Sequence, residues 1–185
     1  YNAMIFNVTG ASNTALGEAT LFNSTAGSNN VAIGGAALLN QNSVAGSVAV
    51  GSSALRLNTS GACNTAIGFD SLCANTTASG STAVGYQALK TSTIGVENVS
   101  IGACSLYSNT EGNENTAVGL DALYSNTEGY RNTALGYKSL YTNSTGHSNT
   151  AVGHIALFAN STGENNTAIG FNSLTANTVG YNNTA

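Results

Sequence analysis

One repeat of seventeen residues accounts for the whole chain. Residues 115–131 read NTAVGLDALYSNTEGYR. Shifted by seventeen they land on NTALGYKSLYTNSTGHS from Asn132, and shifted again on NTAVGHIALFANSTGEN from Asn149. A fixed period of this length is the mark of a solenoid, because one such unit cannot bury its own apolar residues and must stack on its neighbours. With the first Asn as slot zero, that slot holds Asn13, Asn30, Ser47, Asn64, Ser81, Asn98, Asn115, Asn132, Asn149, Asn166 and Asn183. Slot four is Gly from Gly17 to Gly170, and slot eight is Leu from Leu21 to Leu174, without an insertion. Met4, Asn7 and Gly10 keep the register upstream. Residues 1–185 therefore read as one repeat array, with neither linker nor second domain. Tyr1 falls at slot five and Ala185 at slot two, and neither end resembles a polar cap. The expectation is a segment of a longer fibre, with copies or adjoining segments stacked end to end.

Within one coil, slots one to three read Thr-Ala-Val or a close variant, a short strand closed by the slot-four Gly. Slots seven and eight, Ala-Leu or Ser-Leu, read as a second short strand. Slots eleven to fourteen read Asn-Thr-x-Gly, as in Asn109 to Gly112, a turn in which Asn bonds its own backbone and Gly takes the left-handed conformation. Helix is not expected, because the apolar residues lack helical spacing and two Gly per repeat are costly there. The fold class is all-β, a parallel β-solenoid of about eleven coils, with strands ~4.8 Å apart.

Charged residues are only 6% of the chain, far below the usual quarter. The net charge of -4 and the scatter of Arg56, Lys90, Arg131 and Lys138 argue against a nucleic-acid partner. No apolar run is long enough to cross a membrane as a helix. No charge or His falls at slots zero to four, seven, eight, ten to twelve or fourteen. Charges are almost never buried unpaired, so the first strand reads as sheltered on both faces. Slots three and eight, such as Val118 and Leu123, are expected to meet in the core. The slot-two Ala would then face another chain, unless a narrow coil simply has no room for more.

The chemical inventory is empty. His147 and His154 sit at different outward slots, and no nucleophile, base and orienting group converge. Cys63, Cys73 and Cys104 occupy three different slots, so a disulfide is not expected, and no Cys-x-x-Cys spacing suggests zinc. Glu111 and Glu128 share slot thirteen on successive coils, too few oxygens for calcium. No phosphate-cradling Gly-rich loop with its Lys is found. The expectation is no enzyme, no metal and no cofactor. Asn58, Asn75, Asn143 and Asn160 form Asn-x-Ser/Thr sequons at slot eleven, so glycans would line one corner. Tyr107, Tyr124, Tyr141 and Phe158 share slot nine on consecutive coils, with Arg56 and Lys90 at the same slot pointing to solvent. This stripe is the candidate binding surface for a glycan or a host surface, but the area aromatics bury favours a packing ladder or a subunit contact over that role.

The unit Asn-Thr-Ala-Val-Gly followed by Ala-Leu resembles the head repeats of trimeric autotransporter adhesins. It is more similar still to the seventeen-residue repeats of tail-fibre-like and surface-fibre proteins of bacteria, phages and large viruses. The resemblance spans the chain. It implies a left-handed β-roll, three chains packed side by side as a homotrimer, and an extracellular, cell-surface or virion-surface setting. The adhesin heads have shorter coils, so their trimer contacts do not carry over, and nothing here matches their stalk or membrane anchor.

The leading expectation is a structural or adhesive fibre segment whose partners are other copies of itself. A glycan- or host-surface-binding module is the alternative. Ice binding through regular Thr at slot one is a weaker one, set back by the expected sheltering of that strand.

Overall fold

A computed structural model describes residues 2–185. Among the described residues there is no helix; ten three-residue strands run from β1 (Thr14–Leu16) through β7 (Thr116–Val118) to β10 (Thr167–Ile169). They form a single parallel sheet in sequential order. Every pairing keeps the register of the repeat, as Thr116 with Thr133, Ala117 with Ala134 and Val118 with Leu135 show. The molecule is a β-solenoid of seventeen-residue coils. Chain direction repeats because each coil returns to the point where it began, one strand spacing further along.

One strand forms per coil, not two. The expected second strand at slots seven and eight is a tight bend, because the residues at slots six and eight take positive φ, as in Asp121 (φ 56) and Leu123 (φ 51). A strand needs extended backbone, so this alternation excludes one. Leucine in the left-handed region is rare and costs ~1–2 kcal/mol. The bend recurs at slot-eight Leu because it aims the side chain inward, and burying Leu is worth about 1.5–3 kcal/mol. The Leu123 N–H also donates to the Ser139 carbonyl at 3.0 Å in the next coil, so the bend keeps the inter-coil ladder.

The core inverts the expected facing. Slot-two Ala is fully buried from Ala32 to Ala168, whereas Val118 and its equivalents at slot three are half-buried or exposed. Strand β7 shows why: neighbouring side chains alternate, and Ala117 points inward between outward Thr116 and Val118. The column is closed by slot seven, Ala122 for example, and by slot-eight Leu123, both at 0% exposure. Slot two is Ala because the coil is narrow. It does not await another chain. Where slot seven is Ser, its hydroxyl donates to the slot-four carbonyl, as Ser139 Oγ does to Gly136 O at 3.1 Å.

The two Gly slots have different causes. Slot four has φ between 118 and 140 in every coil, a conformation open only to glycine. The slot-fourteen Gly is not left-handed, against the expectation; it is required for close approach. A Cβ on Gly112 would fall within 3.0 Å of the Gly129 carbonyl and of Asn109 Oδ1. Val44 and Ala78 replace it in two coils, where the following slot sixteen becomes Gly46 (φ 76) and Gly80 (φ 72) and the next slot zero becomes Ser47 and Ser81.

Candidate interaction faces

The sheet carries an outward face that the sequence hid. Slot one (Thr or Val) and slot three (Val, Ile or Leu) both reach solvent, with Ile67 and Ile101 each 40% exposed. Beside them, slot five adds Phe69, Tyr86, Leu120, Tyr137 and Phe171, all exposed. The first strand is therefore not sheltered on both faces. Its outward side chains make an uncharged strip, apolar at slot three and mostly Thr at slot one, and soluble monomers seldom expose contiguous apolar strips of more than a few hundred Å². Ten three-residue strands, ~4.8 Å apart and rising ~3.3 Å per residue, give a strip on the order of 500 Å². A patch of that size is at the upper end for a monomer and is often an interaction site. Inward slot-two Ala, flanked by larger residues on both sides, was the signal that would have found it.

Slot nine forms a column rather than an open platform. Tyr107 and Tyr124 stack at 5.1 Å and 8°. Tyr124 and Tyr141 stack at 5.3 Å, and Tyr141 and Phe158 at 5.2 Å. Lys90 caps Tyr107 at 5.8 Å and Lys138 lies 5.1 Å from Tyr141. The ring faces that a sugar would need are occupied by neighbouring rings, and mainly the edges remain. Burial, followed by the neighbouring Tyr107 and Tyr141, pushes the Tyr124 hydroxyl above its usual pKa. A second column at slot five stacks Tyr137, His154 and Phe171 at 5.0 and 5.2 Å.

Several ionisable side chains pair along the axis. Arg131 donates to Glu114 at 2.9 Å, Lys138 lies 3.9 Å from Asp121 and His147 lies 3.1 Å from Glu164, each pair seventeen residues apart at one slot. The shared slot fifteen of His147 and Glu164 was the readable sign that His147 has a carboxylate neighbour. Lys90 bridges to Asp70 at 3.2 Å. Burial pulls the Lys90 ammonium down, but its bond to Asp70 and the nearby Tyr107 outweigh that and leave its pKa raised. The Arg131 guanidinium holds the Glu114 carboxyl below its usual value. That preference is present above the ordinary carboxylate range and is lost as pH falls through the lowered value. The pair is solvent-exposed and contributes little to stability.

Among the described residues the cysteines and titratable side chains do not gather into one cluster. All three Cys are free, and burial, with Asp121 nearby, pushes the Cys104 thiol up, away from the thiolate that a nucleophile needs. Among the described residues no three His, Cys, Asp or Glu side chains gather as a metal group. A surface hollow of about 420 Å³ is lined by Ser43, Val44, Thr59 and their neighbours, with no titratable side chain.

The slot-eleven asparagines are interior, which overturns the glycan-lined corner. Asn58, Asn75, Asn143 and Asn160 are each 0% exposed. Asn143 Nδ2 donates to Asn126 Oδ1 at 2.8 Å and to Gly146 O at 2.9 Å, so turn and ladder share one amide. The folded coil leaves no room for a glycan on that nitrogen. Slot-zero Asn meets the same carbonyl: Asn132 Nδ2 reaches Gly146 O at 2.8 Å. One slot-fourteen carbonyl thus ties two corners of its coil. Comparison with known proteins finds no matching family model, no matching curated protein and no matching solved structure.

Proposed function

We propose that the chain is a structural segment of an extracellular fibre, in which copies lie side by side through the outward sheet face. The observation that carries this reading is the uncharged strip of solvent-reaching Thr, Val, Ile and Leu side chains at slots one and three along the rod, with exposed aromatic residues beside it on several coils. The resemblance to adhesin-head and tail-fibre repeats supports the extracellular setting and a threefold bundle. The common register of all strand pairs supports coil-on-coil stacking between copies as a second mode of growth. The chemical inventory favours no enzymatic role. Replacing Ile101 and Leu135, both already exposed, by Glu should leave the circular dichroism unchanged and convert side-by-side assemblies to monomers in sedimentation velocity. A wild-type chain that stays monomeric at high concentration would remove this reading.

Ice binding is the second reading, favoured by one observation. The slot-one threonines, Thr116, Thr133 and Thr150 among them, are half-exposed on a flat, uncharged sheet rather than hidden. Thermal hysteresis that falls when these three become Lys is the expected result, and no hysteresis in the wild type would dismiss the idea.

A further inference from the structure

The asparagine ladder at slot eleven is continuous only in the C-terminal part of the rod. Rungs join Asn109, Asn126, Asn143, Asn160 and Asn177, with amide-to-carbonyl-oxygen distances of 2.7 to 2.9 Å. Upstream, Asn75 donates to Asn58 at 2.7 Å, and the other rungs are absent. Slot eleven there holds Ser24, Gln41 and Ser92. Five buried side-chain atoms have no hydrogen-bond partner among the described residues: Asn7 Oδ1, Ser24 Oγ, Gln41 Oε1, Asn75 Oδ1 and Ser92 Oγ. All five are at slot eleven, and each lies beside a missing rung. A buried polar group without a partner costs its desolvation in full, so these defects concentrate instability at particular coils.

One coil is poorer than its neighbours on both sides. In the coil of residues 64–80, the Ala78 carbonyl accepts from Asn64 at 2.7 Å and from Asn75 at 3.1 Å. In the coil of residues 98–114, the Gly112 carbonyl accepts from Asn98 at 2.8 Å and from Asn109 at 2.9 Å. Between them, residues 81–97 carry Ser81 at slot zero and Ser92 at slot eleven. Neither side chain has an amide, so the Gly95 carbonyl lacks both straps. The link from Ser81 to the next coil is longer as well, with Asn98 N donating to Ser81 Oγ at 3.2 Å. The slot-nine ring column begins one coil later, at Tyr107.

We propose that residues 81–97 form a built-in weak joint, which opens before the coils on either side and divides the rod into two cooperative blocks. Stability in a solenoid is close to a sum of coil terms and nearest-neighbour terms, so one poor coil sets where the array parts. The N-terminal block, with its interrupted ladder, is the softer one. The C-terminal block, with continuous amide and ring columns, is the rigid one. In a fibre, such a joint gives each segment a defined place to bend or yield, independently of how the segments assemble.

Trypsin reads this directly, because the chain holds only four Lys and Arg, and Lys90 lies inside the joint. In the native wild-type chain, cleavage after Lys90 should precede cleavage after Arg131 and Lys138. Amide exchange of residues 81–97 should be faster than in residues 64–80 and 98–114. Ser92→Asn should fit, since its coil keeps the slot-fourteen Gly95, as the Asn-bearing coils downstream do. The new amide would donate to Asn75 Oδ1 and Gly95 O, and its oxygen would accept from Asn109 Nδ2. At about 0.5–1.5 kcal/mol per bond, these should slow the Lys90 cut about tenfold or more. Cleavage after Arg131 should not change. Exchange in the wild type that is uniform across these three coils would overturn the proposal whether or not the variant folds. So would a variant that slows all cuts equally, or leaves the Lys90 cut unchanged.

Discussion

Gly119→Ala should lower the stability of the rod by about 3 kcal/mol or more, from backbone strain plus overpacking. Gly119 has φ 136, which alanine does not tolerate. An added Cβ would also lie 2.7 Å from the backbone carbon of Gly136 in the next coil. Neither problem is relieved by a side-chain rotation, because both partners are backbone. Gly35→Ala is the matched control: its Cβ would meet only Ser52 Oγ at 3.9 Å. Urea titration followed by circular dichroism should show a large loss for the first and almost none for the second. Equal effects would mean that slot-four Gly is kept for some reason other than conformation.

Leu123→Ala should cost about 3–5 kcal/mol, as large-to-small changes do where the surroundings cannot collapse. Leu123 is fully buried, as are Leu106 and Leu140 at the same slot of the neighbouring coils, and the rest of the core cluster around it is alanine, such as Ala117 and Ala122, too short to move into the space. The column is one side chain wide, so the cavity also unlinks the coils above and below. Leu174→Ala removes the same atoms from a partly buried site and should cost clearly less. Thermal unfolding of both variants checks the order, and a Leu174 change as severe as Leu123 would contradict the account of the core.

The repeat made the architecture readable. A gapless period of seventeen, a Gly at slot four and β-branched residues around an Ala were enough for a parallel solenoid. The expected second strand is not there, although Ala122-Leu123 and Ser139-Leu140 look like short extended pairs in the sequence. What separates them from a strand is the left-handed backbone at Lys138 and Leu140, and nothing in those residue types announces it. The facing of β7 was misjudged for a related reason. The lack of charge at Thr116 and Val118 reads as shelter in the sequence, though uncharged residues also stand on an open face. The i to i+17 pairs of Arg131 with Glu114 and of His147 with Glu164 follow from the period alone. The interior place of Asn58 and Asn143 does not, because a sequon looks the same on either side of a corner.

The alanine-lined core has a consequence for how such a chain can change its size. Its girth is fixed, since slot two admits nothing larger than Ala or the hydrogen-bonded Ser100. Length is the free dimension. Removing or adding seventeen residues leaves every other side chain in its place and shifts one end of the rod by ~4.8 Å. Removing sixteen would turn each later Leu outward and each later Gly into the wrong corner. The chain behaves as a ruler graduated in whole coils, which can be cut or extended only at its marks.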